Sequence, residues 1–363
     1  MRAVHLTARS FRNLADLDLE LPTGGAVFLG ANAHGKTSLL ECLDYPVLFR
    51  SFRAATDQEV GRWGGVGFRM CLAAEIGGSA RRFEIEMSQA ARRKQIRVDG
   101  VEVPKLNDAV GQWVTVTFLP TDLRLIQGGA SERRRYLDRA LSLADPGYLR
   151  SLWRYRATLA QRNAALRARR GSVARAFDGT LAEAGAGVVV RRERWVAAIQ
   201  ESFSAECDAL GESGPVTLAY RGAAELSDPA AWPAALDLAA GQELARGATL
   251  VGPHRDDLRL EREGRALRDY GSTGQQRTAA VALRLCERAT LRTARGAEPV
   301  LLLDDVFAEL DGERQDRLAS RLAAAPAGQV FVTAPRRDEL PRHLSLEQFE
   351  LCEGLVRAVR IAA

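Results

Sequence analysis

The spacing of apolar residues changes twice along the chain. Leu14, Leu17, Leu19 and Leu21 fall roughly alternately, and Ala26-Val27-Phe28-Leu29 is a short apolar run behind Gly24-Gly25. This predicts β-structure over residues 1–30, ending in a buried strand. Leu39, Leu40 and Leu43 then share one helical face, predicting a helix from Gly35 to about Leu43. Further strands are expected at Phe68–Ile76, Arg82–Met87, Ile96–Val101 and Val114–Phe118, with Asp99-Gly100 as a hairpin signal. Beyond Leu119 the period becomes helical. Ser131 to Arg170 is rich in Leu, Ala and Arg and is interrupted at Asp145-Pro146-Gly147; Val189, Trp195, Val196, Ile199 and Phe203 mark a second stretch from Thr180 to Leu210. Two long helices of roughly 40 Å each are expected there at ~1.5 Å per residue. Strands follow around Thr249 and Leu258, then a helix Thr273–Arg292, a strand Val300–Leu303, a helix Gly312–Ala324, and strands Gln329–Thr333 and Leu355–Arg360.

The pattern predicts an α/β fold with a β-rich N-terminal part and an inserted helical lobe. The head would comprise residues 1–118 plus 247–363, and the lobe residues 119–246. Composition adds little at first. Of 51 basic residues only Lys36, Lys94 and Lys105 are lysines, and the net charge is +5. No apolar run approaches the ~20 residues of a bilayer span, and the start of the chain lacks the apolar core of a signal peptide. Five scattered cysteines without a CxxC pair argue against a zinc site or a disulfide framework. A reduced, cytoplasmic setting is expected.

Three segments carry chemistry. Gly30-Ala31-Asn32-Ala33-His34-Gly35-Lys36-Thr37 fits GxxxxGK[ST], between a buried strand and an apolar-faced helix. The glycines let successive N–H groups face phosphate oxygens, and the helix N-terminus favours the same charge. Lys36 suits the β- and γ-phosphates and Thr37 a Mg²⁺ ion; arginine's planar fork would not fit that slot. Val300-Leu301-Leu302-Leu303 then runs into Asp304 and Asp305. At a strand's carboxyl end, Asp304 would help hold Mg²⁺ and Asp305 would take a proton from attacking water. Aspartate is shorter than the glutamate many such ATPases carry, so slow hydrolysis is expected. The bland reading is a solvated acidic turn. Thirdly, Gly271-Ser272-Thr273-Gly274-Gln275-Gln276-Arg277 opens a helix whose hydroxyl and free N–H groups could face an anion; Ser272 is equally an ordinary N-cap.

The order phosphate loop, Ser-x-Gly-Gln, acidic strand is that of the ABC-type ATPases, and Ala308-Glu309-Leu310-Asp311 looks like their D-loop. More specifically, the chain resembles the RecF family, bacterial recombination-repair ATPases related to the SMC proteins. The resemblance rests on Ser10-Phe11-Arg12-Asn13, Gly30 to Ser38, Ser51-Phe52-Arg53, Ser131-Glu132-Arg133-Arg134-Arg135-Tyr136-Leu137-Asp138-Arg139, Gly252-Pro253-His254-Arg255-Asp256-Asp257, Ser272 to Gln275 and Leu303 to Asp311, and so covers nearly the whole chain. It implies an ABC-type head with a short arm rather than a long coiled coil, dimerising through ATP. Lys36 and Thr37 would act in cis, Ser272, Gly274 and Gln275 in trans, and Asp311 would couple the two sites. Two departures stand out: Thr333 occupies the place of the transporters' switch histidine, and the Q-loop glutamine is either Gln112 or Gln127. Arg12 lies near the nucleotide in related heads, or is a surface arginine on a strand. His254 and Arg255 face ATP or DNA, or merely fix a turn.

Read along the chain, the charge is uneven. Residues 133–175 hold twelve arginines against Asp138 and Asp145, a net +10; residues 81–97 are net +4. Clustered arginine with few aromatics suits phosphate-backbone contact, with Arg133, Arg134, Arg135, Arg154, Arg162, Arg169 and Arg170 as candidates. A solvated helix face or a protein-docking surface is the alternative. Trp153 and Tyr155 could stack on bases or pack in the core. The resemblance implies action at single-strand/double-strand junctions with RecR and RecO, helping to load RecA. The competing function is the ATPase subunit of a membrane transporter, which shares the three ATP motifs.

Overall fold

A computed structural model describes residues 1–54, 56–323, 328–342 and 344–359. The chain divides into two compact units, residues 1–122 with 287–363, and residues 123–286.

The first unit holds two six-stranded sheets. One is antiparallel throughout, in the order Leu17–Glu20, Arg2–Arg9, Gly67–Ile76, Ser79–Ser88, Arg93–Val98, Val101–Glu102. Its strands alternate inward apolar and outward polar residues, as Phe83, Ile85 and Met87 show against Arg82, Glu84 and Glu86. The other is parallel except at one edge, in the order Leu355–Ala358, Glu347–Cys352, Gly25–Leu29, Val330–Ala334, Val300–Asp304, Thr115–Phe118. Val27, Phe28, Leu301, Leu302, Leu303, Phe331 and Val332 are fully buried, the continuous apolar pattern of strands covered on both faces. At about 1.5–3 kcal/mol for each large side chain removed from water, these residues anchor the sheet that carries the phosphate loop. The helix Lys36–Leu48 follows that loop and ends five residues beyond the Leu43 its apolar spacing predicts.

The second unit is mainly helical. The interruption expected at Asp145-Pro146-Gly147 separates two helices, Ala130–Ala144 and Pro146–Arg167, because Pro146 lacks the N–H to continue the first. Asp145 caps the second, its carboxylate accepting from the Gly147 N–H at 2.7 Å. Asp178–Ala209 is one helix of 32 residues. Thr249 is not in a strand; Asp257–Arg262 pairs instead with Val216–Arg221, a strand the apolar pattern did not reveal, and with Arg265–Ala266. That pairing takes the second unit to residue 286, past the expected lobe boundary at 246. The helix Trp232–Arg246 and the strand Glu347–Cys352 were likewise not anticipated. Ala324 and Arg360, the expected ends of two late elements, lie outside the described residues.

Candidate functional site

In the first unit the phosphate loop leaves the strand Gly25–Leu29 at its carboxyl end. Gly35 has φ 105°, a conformation open to glycine at little cost. At Gly30 a Cβ would lie 2.3 Å from the Leu351 carbonyl oxygen, so only glycine lets the neighbouring strand Glu347–Cys352 approach. The loop is braced from outside. The Gly354 N–H donates to the His34 carbonyl at 3.0 Å, and Asn13 donates through Nδ2 to the Ala33 carbonyl at 2.7 Å while accepting from Ser38 Oγ at 2.8 Å. Asn13 was not among the predicted site residues; its place beside Arg12 in a family-like segment was the only signal. The first-turn N–H groups of Lys36, Thr37 and Ser38 have no partner within their helix.

Strand order brings the rest together. Val330–Ala334 lies between the phosphate-loop strand and Val300–Asp304, with Thr333 opposite Asp304 on one side and Phe28 on the other. Thr333 Oγ1 donates to Asp304 Oδ1 at 2.8 Å and accepts from the Asp305 N–H at 3.0 Å. Thr37 Oγ1 donates to Asp304 Oδ2 at 2.7 Å. The Lys36 ammonium, 4% exposed, donates to the carbonyls of Gly30 at 2.8 Å and Ala31 at 3.4 Å and lies 3.8 Å from Asp305 Oδ2. Asp305 sits at φ 49°. Burial pushes its carboxyl above the usual range, Lys36 pulls it down, and Asp304 adds to the rise. A raised pKa makes it a stronger proton acceptor than an exposed aspartate.

Thr37 and Asp304 offer neighbouring hard oxygen donors that fit Mg²⁺. Among the described residues no group of three or more His, Cys, Asp or Glu side chains gathers; a nucleotide-borne Mg²⁺ needs none, since phosphates and water complete its shell.

Other predicted residues lie differently. The Arg12 guanidinium grips the fully buried Glu41, with Nη2 2.7 Å from Oε1, and donates to the Glu59 carbonyl at 2.6 Å. Ser51 Oγ and Arg53 reach the same Glu41. Asp311 caps the helix Gly312–Ala323. It accepts from the Arg314 N–H at 2.9 Å and pairs with that side chain at 2.6 Å, which holds its carboxyl below the ordinary value. Of the two Q-loop candidates, Gln112 in this unit is tied to Arg81 at 2.5 Å and to the Asp108 carbonyl at 2.8 Å.

In the second unit Ser272 and Gln275 form a reciprocal capping box at the start of Thr273–Arg295. The Gln275 N–H donates to Ser272 Oγ at 3.3 Å and the Ser272 N–H to Gln275 Oε1 at 2.9 Å. Ser272 is exposed and its hydroxyl hydrogen is not consumed by the cap. Gln127 donates to Gln276 Oε1 at 2.7 Å.

The arginine block separates into two populations. Arg133 is buried and bidentate to Asp257 at 2.6 and 2.8 Å. Arg134 donates to the Asp256 carbonyl at 2.7 Å. Arg162 is buried between Asp178 at 2.8 Å and Glu243 at 2.7 Å. The calls that put Arg133 and Arg162 on DNA are therefore corrected: their charges are neutralised inside the unit. The family-like segments around Glu132 and Gly252 hold each other through these contacts. His254 settles with the turn-fixing reading. Its Nδ1 accepts from the Tyr155 hydroxyl at 2.6 Å and its Nε2 donates to the Thr249 carbonyl at 3.0 Å, in the neutral tautomer that its lowered pKa, caused by burial, favours. Tyr155 is core, 2% exposed, while Trp153 is half exposed. Arg135 and Arg154 are exposed in single pairs with Glu132 and Glu183. Arg167, Arg169, Arg170 and Arg175 are exposed together where Pro146–Arg167 turns toward Asp178–Ala209.

A phosphate loop on a central parallel strand, a carboxylate two strands away and a hydroxyl between them define an ABC-type P-loop ATPase head. The chain matches no family model, but a "DNA replication and repair protein RecF" of Herpetosiphon aurantiacus is 35% identical over 98% of this chain and 99% of that one. The chain belongs to the RecF family. Another member, from Streptomyces avermitilis, is 36% identical over 99% of this chain and all of its own. A solved recombination mediator RecF bound to ATP, described as in the RecFOR pathway, superposes with a TM-score of 0.90 at 28% identity, covering 99% of this chain and 98% of that one. The Smc head of Pyrococcus furiosus, at 14% identity and a TM-score of 0.58, shares the fold. No described helix is long and apolar enough to cross a membrane.

Proposed function

We propose that this chain is an ATP-operated DNA clamp of recombinational repair. Two copies close on ATP, the phosphate loop Gly30–Ser38 of each facing Ser272, Gly274 and Gln275 of the other, with Asp311 coupling the sites. The observation that carries this reading is the chain Lys36–Asp305–Thr333–Asp304–Thr37. It holds a cation ready for phosphate, two oxygens for Mg²⁺ and a carboxylate for water. Bound Mg²⁺ supplies charge neutralisation at the phosphates; Asp305 accepts the water's proton, slowly, because its carboxylate is short and its ammonium neighbour opposes protonation. Lys36, Asp305 and Ser272 are the catalytic set, and Gly30 to Ser38 with Asp304 the binding set. Arg12, near the nucleotide in related heads, would act here through Glu41, which it holds behind the loop.

DNA lies on exposed arginines of the second unit, with Arg169 and Arg170 at their centre, Arg135 and Arg154 at lower occupancy, and the half-buried Arg134 contributing least. The arginines of the +10 block that remain exposed and the replication-and-repair names of the relatives support DNA over a transporter's membrane partner. By kinship, the substrate is gapped or junction DNA in the cytoplasm, and RecO and RecR are partners in loading RecA. The test is binding to single-stranded, duplex and junction DNA, each with ATP, ADP and no nucleotide. Tightest binding to junctions with ATP is expected; nucleotide-independent, structure-blind binding would overturn the clamp.

A further inference from the structure

The first unit carries a surface feature that neither ATP nor the arginines of the second unit explain. Residues 61–66 leave the bridge between Phe11 and Gly61, where the Arg62 N–H donates to the Ser10 carbonyl at 2.8 Å. The Gly65 N–H donates back to the Arg62 carbonyl at 2.9 Å, closing a four-residue turn with Trp63 and Gly64 at its tip and Gly64 at φ 73°. Nothing lies within 4 Å of the Cβ position at Gly64. Trp63 is therefore 100% exposed, with Val66 beside it at 86%. A large aromatic left wholly in water marks a contact surface.

The surroundings say for what. The Gln89 N–H donates to the Val66 carbonyl at 2.9 Å, joining this turn to the one that carries Arg92 and Arg93. Both arginines are exposed; Arg92 stands at φ 47°, and Arg93 meets the exposed Glu102 at 3.3 Å. Arg62, exposed on the Trp63 turn itself, donates through Nη2 to the Leu14 carbonyl at 2.6 Å and so braces the turn. The exposed turn thus pairs one aromatic ring and Val66 with a hydrogen-bonded neighbouring turn that carries two exposed arginines, which suits a nucleobase between phosphates better than a protein core residue. A paired base in a duplex offers no free face. We infer that Trp63 is a stacking platform for an unpaired base, with Arg92 and Arg93 on the flanking phosphates, so that the first unit reads single-stranded DNA. This rests on the DNA-binding reading above.

The experiment uses the full chain with ATP and Mg²⁺, a labelled oligo-dT and a hairpin duplex of equal charge. Trp63→Ala should weaken oligo-dT binding roughly ten-fold and leave the duplex unchanged. Trp63→Phe should keep most of the affinity, and Arg92→Gln with Arg93→Gln should flatten the salt dependence for oligo-dT alone. Oligo-dT should quench the wild-type tryptophan fluorescence and quench Trp63→Ala less. Undiminished oligo-dT affinity in Trp63→Ala would overturn the inference and leave the turn to a protein partner; equal losses on both DNAs would overturn it too. A wild-type chain that binds neither DNA would instead sink the DNA reading itself.

Discussion

Lys36 in the first unit and Arg162 in the second are equally buried, 4% and 3% exposed, yet the protein treats the two charges differently. Arg162 is flanked by carboxylates at 2.8 and 2.7 Å and donates to Thr249 Oγ1 at 2.9 Å. Lys36 has two carbonyls, and the Asp305 carboxylate stands off at 3.8 Å. A buried charge that is matched by partners belongs to the architecture; one left under-matched is held for a ligand. The same contrast runs through the arginine block, where Arg133 is spent on Asp257 and Arg169 and Arg170 face solvent.

Breaking the contrast at its strongest point, Lys36→Met should abolish ATP-dependent dimerisation while leaving the thermal midpoint nearly unchanged. Light scattering that shows intact dimers would remove the phosphate-loop assignment. Arg162→Ala should do the reverse. It strands Glu243 and Asp178 and should cost about 3–5 kcal/mol of stability, measured by denaturant unfolding; a change near zero would mean that Arg162 is not structural. Thr333→Val removes the hydroxyl shared by Asp304 and Asp305. Hydrolysis should fall by roughly ten- to a hundred-fold, about 1–3 kcal/mol, with ATP affinity changing less; equal losses in both would make Thr333 a binding residue only. Last, Arg169→Gln with Arg170→Gln should leave stability untouched and lower the salt slope of DNA binding by about 1 per arginine. An unchanged slope would move the DNA elsewhere.

The nucleotide site was largely legible because its parts are local. GxxxxGK[ST] spans eight residues, and an apolar run ending in two acids names its own strand end. Thr333 was visible only as a missing histidine. Its role needed the parallel pairing that sets it between Phe28 and Asp304. Asn13 was invisible for the same reason, since the carbonyl it holds belongs to Ala33, 20 residues away. In the second unit, apolar spacing found helices but not Val216–Arg221, a six-residue strand defined by its partner Asp257–Arg262. The partner of Arg12 was not legible either, because nothing local announces Glu41 as a buried acid on the helix behind the loop.

What the sequence by itself determined is the chemistry available: one lysine in a phosphate-loop frame, acids at a buried strand's end, a capping Ser-x-x-Gln and an excess of arginine. These depend on residue type and short spacing, which the backbone's few conformations translate directly into loop, strand end and cap. Only the tertiary structure decided which charges are free to act. An arginine becomes a strut or a ligand-binding group according to whether a carboxylate from a distant element is buried beside it, and that is settled by packing across long stretches of chain rather than by its neighbours in sequence.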